Sequence, residues 1–156
     1  MIQQVFTWTF PLAVPFWALM IFAPSWRWTG RIISSPLIVL PTVAAYVALV
    51  ADHLPELRAT MSRPNLDTLR AFLSTSTGAA AIWAQLIAWD LFIGRWMHLE
   101  SRSLRIHPLV MAPVYALTIL LSPFGFSTFL VVRSVAASGV MQETRGPRWL
   151  PASNEG

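Results

Sequence analysis

The chain has 156 residues, of which 55% are hydrophobic and 12% charged, with a formal net charge of +4 and a mean hydropathy of +0.56. A soluble domain carries about 25% charge, so the composition points to a membrane. All 11 basic residues are arginine and there is no cysteine, which excludes disulfides, thiolate catalysis, Cys-ligated zinc and iron–sulfur clusters.

The opening "MIQQVFTWTF" has no basic region, and no small-residue cleavage site follows it, so the first apolar run is expected to be retained. That run, residues 4–23, has the length of a bilayer-crossing helix, about 20 residues. A loop with Trp26, Arg27, Trp28 and Arg31 follows, a composition suited to an interface. The second run covers residues 33–54 and ends in "ADHLPE", where Asp52, His53 and Glu56 read as a solvated helix end. The next loop is the longest. Within it, Leu66, Leu69 and Phe72 are spaced for a short interfacial helix, and Ser74 to Thr77 supply N-cap candidates. The third run covers residues 75–97 and the fourth 108–132. Pro11, Pro15, Pro36, Pro41, Pro113 and Pro123 punctuate the runs, and "SPFG" at 122–125 is the sharpest expected break. It reads as an ordinary bend or as an opening for a ligand. The remainder, 134–156, is polar. The expectation is an all-α polytopic membrane protein with four transmembrane helices and proline kinks over residues 1–133, and a polar tail over 134–156. With four crossings, five arginines fall on one side and six on the other, which leaves the orientation undecided.

The third run carries an acid. Asp90 lies about 22 Å along the expected helix, deep in apolar sequence, and an ionisable group there is a functional-site hypothesis. Trp83, Asp90 and Met97 are seven apart and share a face, while Gln85, Trp89 and Trp96 share a neighbouring one. Arg95 is five positions from Asp90, poor spacing for an ion pair. It is better placed to reach headgroups, a helix C-terminal carbonyl or another helix. A carboxyl in apolar surroundings can serve as a proton donor, and tryptophans can line a slot for a flat apolar ligand. Asp90 therefore reads either as a catalytic or ligand-contacting acid or as a polar peg between helices. His53, His98 and His107 form no metal-ligand pattern, and neither a phosphate loop nor a dinucleotide fingerprint occurs. The arginines alternate with apolar runs, which favours lipid headgroups over nucleic acid as their partner.

Three blocks carry a resemblance: "VPFWALMIFAPSWRWTGRIISSPLIVLP" at 14–41, "WAQLIAWDLFIGRW" at 83–96 and "LLSPFGFSTFLVVR" at 120–133. Together they resemble the abscisic-acid-deficient, neoxanthin-synthase-like family of small four-span membrane proteins. In plants that family is tied to making neoxanthin from violaxanthin. Trp83, Asp90, Leu91, Phe92, Gly94 and Arg95 match the family pattern, and Gln85 stands where many relatives have histidine.

The resemblance implies a carotenoid, a xanthophyll, as ligand or substrate. It also implies an isomerisation that turns an epoxide into an allene and needs no redox cofactor. Asp90 would be the catalytic acid, and Trp83, Gln85, Trp89, Phe92, Arg95 and Trp96 the ligand-contacting residues. Gln85 does not titrate, which favours the alternative of a non-catalytic pigment-binding or structural subunit of a larger, photosynthetic membrane complex. Either reading places the chain in an inner or photosynthetic membrane.

Overall fold

The computed structural model describes residues 1–62 and 65–144, and it is helical, with no strand among those residues. Helix α1 spans Ile2–Phe22 and holds Pro11 and Pro15 inside it. Helix α2, Arg27–Ser34, is short and two-faced. Thr29 and Ile33, four apart, are buried, while Arg27, Trp28 and Arg31 are exposed. Ser35 caps a 3-10 turn, Pro36–Val39, that leads into α3, Leu40–Val50, and a further turn, Ala51–His53. Pro36 and Pro41 sit in first-turn positions, where a missing N–H breaks no helical bond.

Helices α4, Leu54–Ser62, and α5, Leu66–Leu73, fill the long loop. Thr75 opens α6, Ser76–Ser103, by accepting a hydrogen bond from the Gly78 N–H at 3.0 Å. Helix α7 follows at Pro108–Leu120 and α8 at Ser122–Thr144.

The longest helix, α6, is the hub; it packs against α1, α2, α3, α5, α7 and α8. Helix α1 runs parallel to it, with Phe6 beside Trp83 and Trp17 beside Gly94. The small residues Ala80, Ala81 and Ala84 of α6 meet Leu49 and Val50 of α3. Lipid tails are as apolar as leucine, so close backbone approach over small side chains holds such helices together. The main cluster joins Trp17 and Met20 of α1, Ile33 of α2, Leu91 and Met97 of α6, and Tyr115 of α7.

Three helical segments are long and apolar enough to cross a membrane: Ile2–Phe22, Pro36–His53 and Ser76–Ser103. The fourth apolar run, 108–132, departs from the expected single span. It divides at Leu121, whose φ of −145° and ψ of 75° end α7 after 13 residues. Helix α8 then turns back along α7. Gly125 of α8 lies on Thr118 of α7, so these two helices are antiparallel. Trp96 meets Phe126 and Phe129, and Glu100 meets Arg133, so α8 ascends parallel to α6.

Pro123 gives the physical reason. In a continuous helix its ring would clash with the carbonyl of Ile119, whereas in the first turn of a new helix it fits. Gly125 completes the turn, because a Cβ there would stand 2.3–2.5 Å from the Thr118 Oγ1, N and Cα. Helix α8 continues past Arg133 to Thr144, so the line drawn between 133 and 134 falls inside a helix; residues 145–156 of the expected tail lie outside the described residues.

Candidate functional site

Asp90 sits near mid-height of α6, and the hairpin tip meets it there. A cleft of about 490 Å³ opens between α6, Phe10 of α1 and the segment 119–123. Asp90, Trp83, Leu86 and Ile87 form its α6 wall, one heptad of a single face. Ser122, first residue of α8, lines the same cleft as Asp90 across the break. The remaining lining residues, among them Leu120, Leu121 and Pro123, are apolar. A carboxyl and a hydroxyl therefore share a cleft with apolar walls, the arrangement that orients a mostly apolar ligand by one polar group.

The other candidate residues disperse around α6. Trp89 and Phe92 are exposed and lie edge to face, with ring centroids 6.0 Å apart. With Val39, Val43 and Ala88 they line a separate groove of about 310 Å³ between α3 and α6. Gln85 is exposed and lines neither cleft. Trp96, expected to contact the ligand, packs against Phe126 and Phe129, with ring centroids 5.9 and 5.3 Å apart. The Arg95 guanidinium donates to the carbonyl oxygen of Ser34, the last residue of α2. The carbonyls at a helix C-terminus lack intrahelical partners and carry negative partial charge, so a cation there is favourable. Of the proposed set, the fold brings Trp83 together with Asp90, and it gives Arg95 and Trp96 partners within the protein.

Two features escaped the sequence reading. His98 is almost wholly buried beside Tyr115, whose hydroxyl lies 3.4 Å from His98 Nδ1. The Ser101 hydroxyl donates to the His98 carbonyl oxygen at 2.9 Å. His98 Nε2 is buried with no hydrogen-bond partner among the described residues. The signal was available: Leu91, Gly94, His98 and Ser101 follow at three- and four-residue steps on one buried face. The second feature is the packing role of Gly94, over which the Trp17 ring lies so closely that a Cβ would stand 2.4 Å from it. Among the described residues no three His, Asp or Glu side chains converge on a metal-sized site.

A small all-helical chain with three bilayer-length apolar segments, and an acid at mid-height of its central helix, has the character of a polytopic membrane protein. This chain belongs to the ABA DEFICIENT 4-like family, whose model matches residues 4–129. That match takes in the first bilayer-length segment from residue 4, the other two whole, the Asp90 cleft and the hairpin as far as Phe129. No curated protein and no solved structure matches the chain.

Proposed function

We propose that the chain binds a carotenoid in the membrane, with one polar end group seated between Asp90 and Ser122. The observation that carries this reading is the presence of a carboxyl and a hydroxyl in one apolar cleft at the hairpin tip. Family membership supports the ligand class. The cleft suits one end ring, while the long polyene would lie outside it along the apolar helix faces. A carotenoid has a length near the ~30 Å of the hydrocarbon core, so such a pose stays within the membrane.

Among the described residues Asp90 is the one titratable group lining the cleft, and this supports a second, catalytic reading. In it, the Asp90 carboxyl gives its proton to an epoxide oxygen, the C–O bond breaks, and the resulting carboxylate takes a carbon-bound proton as the allene forms. The step is redox-neutral and returns the carboxyl to its starting state.

Purification from a host that makes epoxy-xanthophylls, with chromatography of the extracted pigments, tests both readings. A stoichiometric xanthophyll that is lost in Asp90→Asn and reduced in Ser122→Ala supports binding at this site. An allenic product formed by the parent and absent from Asp90→Asn adds the catalytic reading. A colourless, stable parent protein would overturn the carotenoid assignment and direct attention to protein partners.

A further inference from the structure

The fold brings Arg133 to the arginine-rich end of the bundle, where four crossings would not place it. The chain begins at one end of the bundle, and α1 carries it to the other. There lie α2, the α6–α7 connection and the start of α7. Because α8 ascends parallel to α6, Arg133 returns to this same end, beside Glu100. Among the described residues the α2 end holds Arg27, Arg31, Arg95, Arg102, Arg105 and Arg133, six in all. The opposite end, with α4 and α5, holds Arg58 and Arg70. Over these same eight arginines four spans would divide five against three, and three spans with a hairpin divide six against two, because Arg133 changes side.

The hairpin's dimensions agree with a return rather than a crossing. Helix α7, at 13 residues, is about 20 Å long, short of the ~30 Å hydrocarbon core. Its tip ends level with Asp90, half-way along α6. The backbone break at Leu121 is covered on one side by α6, which is the condition under which a membrane accepts a broken helix.

The α2 end is also built like an interface. Trp26 and Trp28 are exposed, and the Arg27 and Arg31 guanidiniums lie 5.4 and 5.6 Å from the Trp28 ring. Thr29 and Ile33 hold the other face of α2 in the core. Exposed arginines match phosphate oxygens in charge and geometry, and indole rings settle at headgroup depth.

We propose that the chain crosses the membrane three times, that α7 and α8 form a re-entrant hairpin, and that the arginine-bearing α2 end rests on the anionic phospholipid headgroups of the cytoplasmic leaflet. Positive residues in short loops set orientation in this sense. The N-terminus and the α4–α5 connection then lie on the far side. This inference is independent of the carotenoid reading and fails or stands without it.

The absence of cysteine in the full chain makes the test clean. Single cysteines are placed at Gly30, Thr68 and Gly139 in cells expressing the full-length protein. At Gly30 and Gly139 an added Cβ meets nothing within 4 Å, and Thr68 is exposed on α5. Ser138→Cys, also exposed, gives a second reporter on α8. The readout is labelling by a membrane-impermeant thiol reagent before and after permeabilisation.

The expected result is full labelling of Thr68→Cys in intact cells, with Gly30→Cys, Ser138→Cys and Gly139→Cys labelled only after permeabilisation. Thr68→Cys and Gly139→Cys reporting from one side would overturn the hairpin and restore four crossings. Gly30→Cys and Gly139→Cys labelled together in intact cells, with Thr68→Cys protected, would overturn the assignment of the arginine end to the cytoplasmic leaflet.

Discussion

Two glycines set how closely helices meet, and their neighbours differ in what they can yield. At Gly94 the obstacle to a Cβ is the far edge of the Trp17 ring. Gly94→Ala should therefore destabilise the protein by about 1–3 kcal/mol through overpacking, read as a lower Tm in mild detergent. Trp17→Phe removes that far edge, so the double variant should recover part of the loss, a coupling that additive effects would not produce. At Gly125 the obstacle includes the backbone nitrogen and Cα of Thr118, which cannot rotate away. Gly125→Ala should cost more than Gly94→Ala in the same melting assay, and Thr118→Ser should give no relief. Both glycines stood in motifs visible in the sequence, in "DLFIGRW" and "SPFG". Their reason was not visible, because each answers to a residue on another helix.

At the scale of elements, the hairpin is held by contacts of unequal weight. The Arg133 Nε–Glu100 Oε1 pair is short, at 2.7 Å, but its side chains are 44% and 25% exposed. An exposed pair contributes less than about 1 kcal/mol. Glu100→Gln should leave Tm nearly unchanged and α8 in place, as judged by the Ser138→Cys labelling pattern. The apolar seam of Trp96 with Phe126 and Phe129 should matter more, since aromatic pairs add about 0.5–1.5 kcal/mol beyond their burial.

The sequence made most helices legible. Apolar run lengths located α1, the α3 segment and α6, the Leu66–Leu69–Phe72 spacing located α5, and Thr75 was among the caps offered. It did not reveal the reversal at Leu121. Hydropathy is blind to direction, and residues 108–132 are equally apolar whether the chain runs on or doubles back. Pro123 marked a break without saying which way the chain leaves it.

The candidate site was legible in part for the same reason. Trp83 and Asp90 are seven apart on one helix, and that relation survives any tertiary arrangement. Ser122, which shares the cleft with Asp90, lies 32 positions on, and the hairpin brings it there. The family resemblance grouped Trp89 and Phe92 with Asp90, yet α6 turns them toward α3.

For the whole molecule, two bilayer-length segments pack against the longest helix, α6, which is the third, and the hairpin leans on that helix. This has a consequence for biogenesis. A ribosome delivers the chain from its N-terminus, so α1, α3 and α6 emerge before α7 is made. When the 13 residues of α7 reach the membrane, the helix that shields their broken end is already present. The same segment made first would meet lipid with the carbonyls at its tip unsatisfied, a cost of several kcal/mol for each such group. The order of elements along the gene is in this sense an assembly order: the platform is laid down before the part that needs it.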